Sequence, residues 1–296
     1  MKQIIIAFTI LYIPILSSAQ TLNHEITNDE ETPFLLGKID KKGLEGEHYK
    51  TWFSANYNAY DPNTNTIKIL KEKGLNNYNI LLFLGTWCGD SKKEVPRLFK
   101  VLEDSNFRMD QLTVIALSRK RNMYKQSPEH YEAGLNIHRV PTAIFYKDGK
   151  EVNRIVEHPI DSYEKDIENI ITKNTYKPNY QIVSEINDIL KNEGLNGLQK
   201  KTKKLLKRYD GKVSSMFELN TYGRILYGIG EIEEALTVFR LNTKLFSDQP
   251  RTYMSLANTL GISGNKDKAI KTLTKAIKLH PDNQDLIENL NRIKSN

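Results

Sequence analysis

Three kinds of hydrophobic pattern follow one another along the chain. The first is one apolar run, residues 4–16 (IIIAFTILYIPIL), with Lys2 before it and Ser17, Ser18 and Ala19 after it. A charged start, a core of that length and small residues at its end predict an export leader cut after Ala19. An uncleaved anchor is not expected, because spanning a bilayer takes ~20 apolar residues and this run is shorter and holds Pro14. The second pattern alternates strand-like runs with helical stripes. Residues 79–85 (NILLFLG) read as a strand buried on both faces. The segment SKKEVPRLFKVLED then sets Val95, Leu98, Phe99 and Leu102 on one helical stripe, with Pro96 inside it predicting a kink. LTVIALSRKR (112–121) predicts a further strand. RVPTAIFYKDGKEVNRIVE (139–157) predicts strand, Asp148-Gly149 turn and strand, with residues 161–172 as a terminal helix.

The third pattern is helical throughout. GEIEEALTVFRLNTKLFSDQP and GNKDKAIKTLTKAIKLHPDN align with Gly230 over Gly264 and Ala235 over Ala269, a self-similarity at the period of stacked helix pairs. Leu256, Ala257, Leu260, Ala276 and Pro281 mark the second copy, and Tyr222, Gly223, Leu226 and Phe239 the looser first. Two copies bury too little alone, so residues 181–191 with 195–209 are expected as a degenerate pair and 283–293 as a capping helix.

Length and composition narrow the function classes. The 296 residues, 39% hydrophobic and 27% charged, are enough for two ordinary soluble domains. The formal charge of +7 is interspersed with acids, which argues against a nucleic-acid reader. The basic stretch 199–209 (QKKTKKLLKRY) carries Leu205, Leu206 and Tyr209 at helical spacing and reads as the solvated side of a helix. One cysteine and six scattered histidines leave no zinc spacing; neither a metal nor a cofactor is expected.

That one cysteine, Cys88, carries the candidate chemistry. An exported chain with a single thiol has no internal disulfide, so Cys88 is buried and inert, joined to another molecule, or reactive. The stretch FLGTWCGDSKKEVP (83–96) puts Trp87, Cys88, Gly89 and Asp90 in a strand-to-helix turn. There the positive end of the helix favours a thiolate, Asp90 opposes it, and Lys92 and Lys93 offer an offset.

A strand, Trp-Cys-Gly, a proline eight residues after the cysteine, and a distant Val140-Pro141-Thr142 leading into a hairpin together resemble the thioredoxin family over about residues 49–173. The helical third resembles tetratricopeptide repeats. The resemblance implies an α/β thioredoxin-like fold, a central mixed sheet flanked by helices, followed by an all-α repeat domain. It also implies that Cys88 is the catalytic thiol within a motif of Trp87, Gly89, Asp90 and Ser91, that Pro141 is a cis-proline lying against it, and that Val140 presents backbone to an extended substrate. Departures are equally specific. Ser91 replaces the resolving cysteine, Asp90 the usual proline, and Leu82 the buried carboxylate. Gly85 stands where peroxiredoxins carry threonine. His158 falls in the region that approaches the cysteine in thioredoxins. The expected division is a leader over 1–19, an extension of unassigned structure over 20–48, a thioredoxin-like domain over 49–175 and a helical domain over 176–296.

Two functions remain open at this level. One is monothiol exchange in the periplasm or outside the cell, on a protein or small-molecule disulfide, with an external thiol as reductant and the helical repeats recruiting a protein partner. The other is a non-catalytic adaptor in which the thiol has no role. Neither reading needs nucleic acid or stable membrane insertion.

Overall fold

The computed structural model describes residues 22–28, 31–173 and 176–295; the leader expected over 1–19 lies outside them. The α/β region is built on a five-stranded mixed sheet in the order β3-β5-β4-β6-β7. Its strands are β3 (Gly37–Ile39), β4 (Asn79–Leu84), β5 (Leu112–Ala116), β6 (Thr142–Lys147) and β7 (Lys150–Val156). β4 is central, parallel to β5 and antiparallel to β6. Its apolar run is explained by that position, since a central strand covered on both faces has few positions for polar side chains. Asp148 and Gly149 both have positive φ, 52° and 73°, the geometry of the tight turn that joins β6 to β7.

Helices α2 (Lys50–Asn58), α3 (Thr64–Glu72), α4 (Gly89–Asp104) and α5 (Tyr163–Thr172) accompany the sheet. The predicted stripe of α4 is buried, with Val95, Leu98, Phe99 and Leu102 each no more than 1% exposed. α4 runs continuously through Pro96. The missing proline N–H leaves the Lys92 carbonyl without its usual helical donor, and Asn56 Nδ2 from α2 donates to it at 3.2 Å. Ser162 caps α5 through the Lys165 amide.

Residues 22–28 and 31–48, within the stretch expected only as an extension, are part of this body. A hairpin of β1 (Glu25–Asn28) and β2 (Glu31–Leu35) leads into β3, which pairs antiparallel with β5 at the sheet edge. Phe34, Leu35, Ile39 and Leu44, the last on the short α1 (Lys41–Leu44), are buried, three of them in the main core beside Phe53, Phe99 and Phe145. Tyr176 packs on the same core, and its hydroxyl donates to Asp166 at 2.8 Å.

The rest is helical: α6 (Gln181–Tyr209), α7 (Phe217–Gly228), α8 (Ile232–Leu245), α9 (Pro250–Ile262), α10 (Lys266–Leu279) and α11 (Gln284–Ser295). α6 is broken at Gly194, whose φ of 64° no helix accommodates, so it forms the two arms expected as a degenerate pair. Gly230 and Gly264, at φ of 88° and 80°, make the equivalent turns before α8 and α10, and Ala235 and Ala269 are both fully buried where the paired helices meet.

The two regions join at residues 136–141. His138 is buried with its ring against Tyr180, at the start of α6, and Tyr222 of α7, at centroid distances of 5.5 and 6.1 Å. Burial first, and the nearby Lys125 ammonium second, push its pKa down from 6.5 to about 3. The folded protein holds the ring neutral where the unfolded chain would take up a proton. Its contribution is therefore complete above pH 6.5 and is lost as pH falls toward 3, by a cost on the order of 4 kcal/mol. Denaturant unfolding between pH 7 and 3.5 is expected to show the wild type losing stability relative to His138→Gln; a pH-independent difference would mean that the folded ring protonates freely.

Candidate functional site

Cys88 stands at the end of the turn that leaves β4. Its amide donates to Gly85 O at 2.8 Å, and its carbonyl accepts from the Lys92 amide at 3.0 Å, so it is the N-cap residue of α4. Its thiol is half-buried, while Gly89 and Asp90 beside it are exposed. Gly85 has to be glycine here because a Cβ would collide with the Trp87 indole. The Cys88 thiol donates to Val140 O at 3.3 Å and lies 3.9 Å from Asp90 Oδ2. The Val140–Pro141 peptide is cis. Cys88, Trp87, Asp90, Val140 and Pro141, singled out across more than fifty positions of sequence, thus meet at one end of the sheet.

Ser91 is different. It is fully buried, and its hydroxyl accepts from the Gly85 amide at 3.2 Å, which ties the first turn of α4 to the strand end. Leu82 is buried in the core. His158 has no interaction with Cys88 among the described residues; Asn179 Nδ2 lies 3.2 Å from its ring. Lys93 is turned toward Glu94, 3.3 Å away.

A cation whose charge reaches the thiol is Lys125, on the loop after β5. Lys125 is only 6% exposed and donates to His138 O at 2.5 Å, and Lys125 and Cys88 are close enough to interact electrostatically. Burial and then Arg139 pull the pKa of Lys125 from 10.5 down to about 8, against the opposing effects of Cys88 and Glu157. Its φ of 59° is a sparsely populated conformation for a residue with a side chain. Two bonds clamp this bend, from Lys125 N to Ser118 O and from Ser118 N to Gln126 O, both 2.9 Å.

Behind Pro141 lies a second charged group. Arg139 Nη1 donates to Glu157 Oε1 at 3.2 Å, the Tyr180 hydroxyl donates to Glu157 Oε2, and the Arg139 guanidinium sits 4.8 Å from the Tyr180 ring centroid. Burial raises the Glu157 pKa, Arg139 lowers it, and Asp90 raises it further. Neither this cluster nor Lys125 was visible in the sequence, where 112–121 read as a strand; the strand ends at Ala116, and the chain that follows forms the loop carrying Lys125.

The helical region reaches the site as well. The Trp87 indole N–H donates to Leu117 O at 2.8 Å, its ring lies 5.9 Å from that of Tyr124, and Arg224 of α7 sits 5.6 Å from the Tyr124 centroid. Trp87 is therefore one end of a stack whose other end belongs to a different region. Among the described residues no group of three or more metal-binding side chains occurs, and no helix is long and apolar enough to cross a membrane.

Comparison with known proteins bears on the helices. A tetratricopeptide repeat pattern matches residues 250–283, which is the α9–α10 pair and the turn after it. Against curated proteins the chain finds no match. The helical region thus contains a segment similar to tetratricopeptide repeats, units that stack into surfaces for protein interaction.

The aromatic stack yields a direct test. In a Trp52→Phe background, where Trp87 is the remaining tryptophan, Arg224→Ala is expected to increase acrylamide quenching of Trp87 fluorescence. Unchanged quenching would mean that α7 does not fix the indole.

Proposed function

We propose that the α/β region is a thioredoxin-like unit and that the protein carries out monothiol exchange through Cys88, with the helical repeats engaging a protein partner. The observation that supports this most directly is a half-buried thiol at a helix N-terminus, 3.3 Å from Val140 O and within electrostatic reach of the buried Lys125. The alternatives of an inert core thiol or a plain adaptor account less well for a desolvated lysine whose charge interacts with that thiol. Placing an ammonium out of water costs free energy unless it has charge to meet.

The chemistry follows from the groups present. Cys88 thiolate attacks one sulfur of a disulfide, the Cys88–S bond forms as the S–S bond breaks, and the partner sulfur leaves as a thiolate that takes up a proton. The Lys125 ammonium offsets negative charge on the attacking sulfur, and with a pKa near 8 it is matched to exchange that proton near neutral pH. Val140 and Pro141 form the ledge beside which an extended substrate lies. Because Ser91 has no thiol, an incoming external thiolate completes the cycle by attacking the mixed disulfide, which returns Cys88 and yields a new disulfide. No net oxidation occurs across the two exchanges. The apolar run at residues 4–16 supports an exported protein, in a compartment where such disulfides persist.

Loading Cys88 with a disulfide probe and timing its release is the deciding experiment. Cys88 is expected to react in the folded state and to hold the adduct until a thiol is added, and Ser91→Cys to permit release without one. A thiol that is alkylated only after unfolding would transfer the reading to the adaptor.

Two substitutions report on the charges. Lys125→Met is expected to slow exchange about tenfold and to remove an inflection near pH 8 from the rate profile. Asp90→Asn is expected to speed it severalfold at neutral pH, because it deletes the carboxylate 3.9 Å from the sulfur. Stopped-flow rates from pH 6 to 10 read both.

A further inference from the structure

Between α8 and α10, both packed on α9, runs a groove of about 620 Å³, inside the ~300–1,000 Å³ range of ligand sites. Its floor is apolar, formed by Leu256 and Leu260 of α9, which are 7% and 3% exposed. Its walls carry a single sign of charge. Arg240 of α8 stands on one side, and Lys268, Lys271, Lys275 and Lys278 of α10 on the other. No carboxylate is among the described residues that line it.

The lysines recur at helical spacing, so they form one stripe along α10. None of these cations has an ion pair or side-chain hydrogen bond with a described residue. Like charges so spaced on a helix repel one another, and the stripe gains from meeting an anion. The basic stretch of α6 differs, because there Lys201 meets Glu193 and Arg208 meets Glu185. The remaining lysine of α10, Lys266, is turned away and donates to Lys294 O at 2.9 Å. The hydroxyls of Thr272 and Thr274, also in the lining, donate to Lys268 O and Ile270 O at 2.8 and 2.9 Å. Their oxygens are left as acceptors for a ligand's N–H.

We propose that this groove holds an extended acidic segment of a protein partner, with carboxylates on the lysine stripe and apolar side chains over Leu256 and Leu260. From Lys268 to Lys278 the helix rises ~15 Å, the reach of about five extended residues. Alternation in such a segment sends acids to one side and apolar residues to the other. Two other anions fit less well. No aromatic ring lines the groove for a nucleobase to stack on, and its leucines lie at the floor instead of standing out to enter a lipid surface. The inference deepens the reading that the helical repeats engage a protein partner and rests on it. It does not depend on exchange at Cys88.

The experiment takes the full chain carrying Cys88→Ser and measures fluorescence anisotropy with labelled Ala-Asp-Leu-Glu-Leu-Asp-Ala. Two counterparts are compared, one with asparagine and glutamine replacing the acids and one with serine replacing each leucine. The acidic peptide is expected to bind at least about tenfold more tightly than the neutral one, an advantage that shrinks with added salt. The serine peptide is expected to bind severalfold more weakly. Lys271→Gln with Lys275→Gln is expected to cost about tenfold, whereas Lys203→Gln with Lys204→Gln, the same loss of charge on exposed positions of α6, leaves binding unchanged. Equal effects of the two double changes reduce the attraction to net charge and overturn the groove. Equal binding of the acidic and neutral peptides overturns it too, while the helices still hold a peptide and the partner reading stands. Failure of every peptide to bind overturns the groove and removes its support for a partner; if vesicles containing phosphatidylserine bind in that case, the stripe belongs to a membrane surface.

Discussion

The neutral burial of His138 between Tyr180 and Tyr222 is the constraint on which the arrangement depends. Its carbonyl takes the Lys125 ammonium, the next residue holds Glu157, and the one after offers its carbonyl to Cys88. Three consecutive residues, His138, Arg139 and Val140, therefore meet between them the helical region, the buried cation, the charged pair behind the sheet and the thiol. A shift of this run by a single position would uncouple all of them, because each contact is made by one particular ring, guanidinium or carbonyl of the run.

Much of the fold was legible in the sequence because its signals are local. A central strand announces itself by an unbroken apolar run, α4 by a stripe at helical spacing, the β6–β7 turn by Asp148-Gly149, and the repeat by glycines 34 residues apart. What escaped was set by distance. β3 is three residues long and acquires its meaning only from its partner β5, some seventy-five positions away. Gln181 to Tyr209 was readable as two arms because glycine at a positive φ leaves a mark, whereas the docking of Tyr180 against His138 leaves none.

The same contrast applies to the site. Cys88, Asp90, Val140 and Pro141 were findable because their residue types stand in a known order. Lys125 was not, since nothing in RKRNMYK distinguishes one basic residue from another until the chain bends back and buries it. The sequence also invited a negative conclusion from Leu82 and Ser91, positions where an acid and a second sulfur are absent. The structure brings a buried amine whose charge reaches the sulfur from a different loop, not from the expected strand. A gap at one position in a motif says little about the chemistry of a pocket whose walls come from elsewhere.

The side-chain bond from Asn56 to the Lys92 carbonyl has a mechanical consequence. Proline divides the hydrogen-bond ladder of α4 into a short segment carrying Cys88 and a longer one rooted in the core, and a single amide from a neighbouring helix bridges the interruption. Because Asn56 belongs to α2, the carbonyl that Pro96 leaves open is answered from outside α4, so the turn that carries Cys88 is braced by a second helix as well as by the core beneath it.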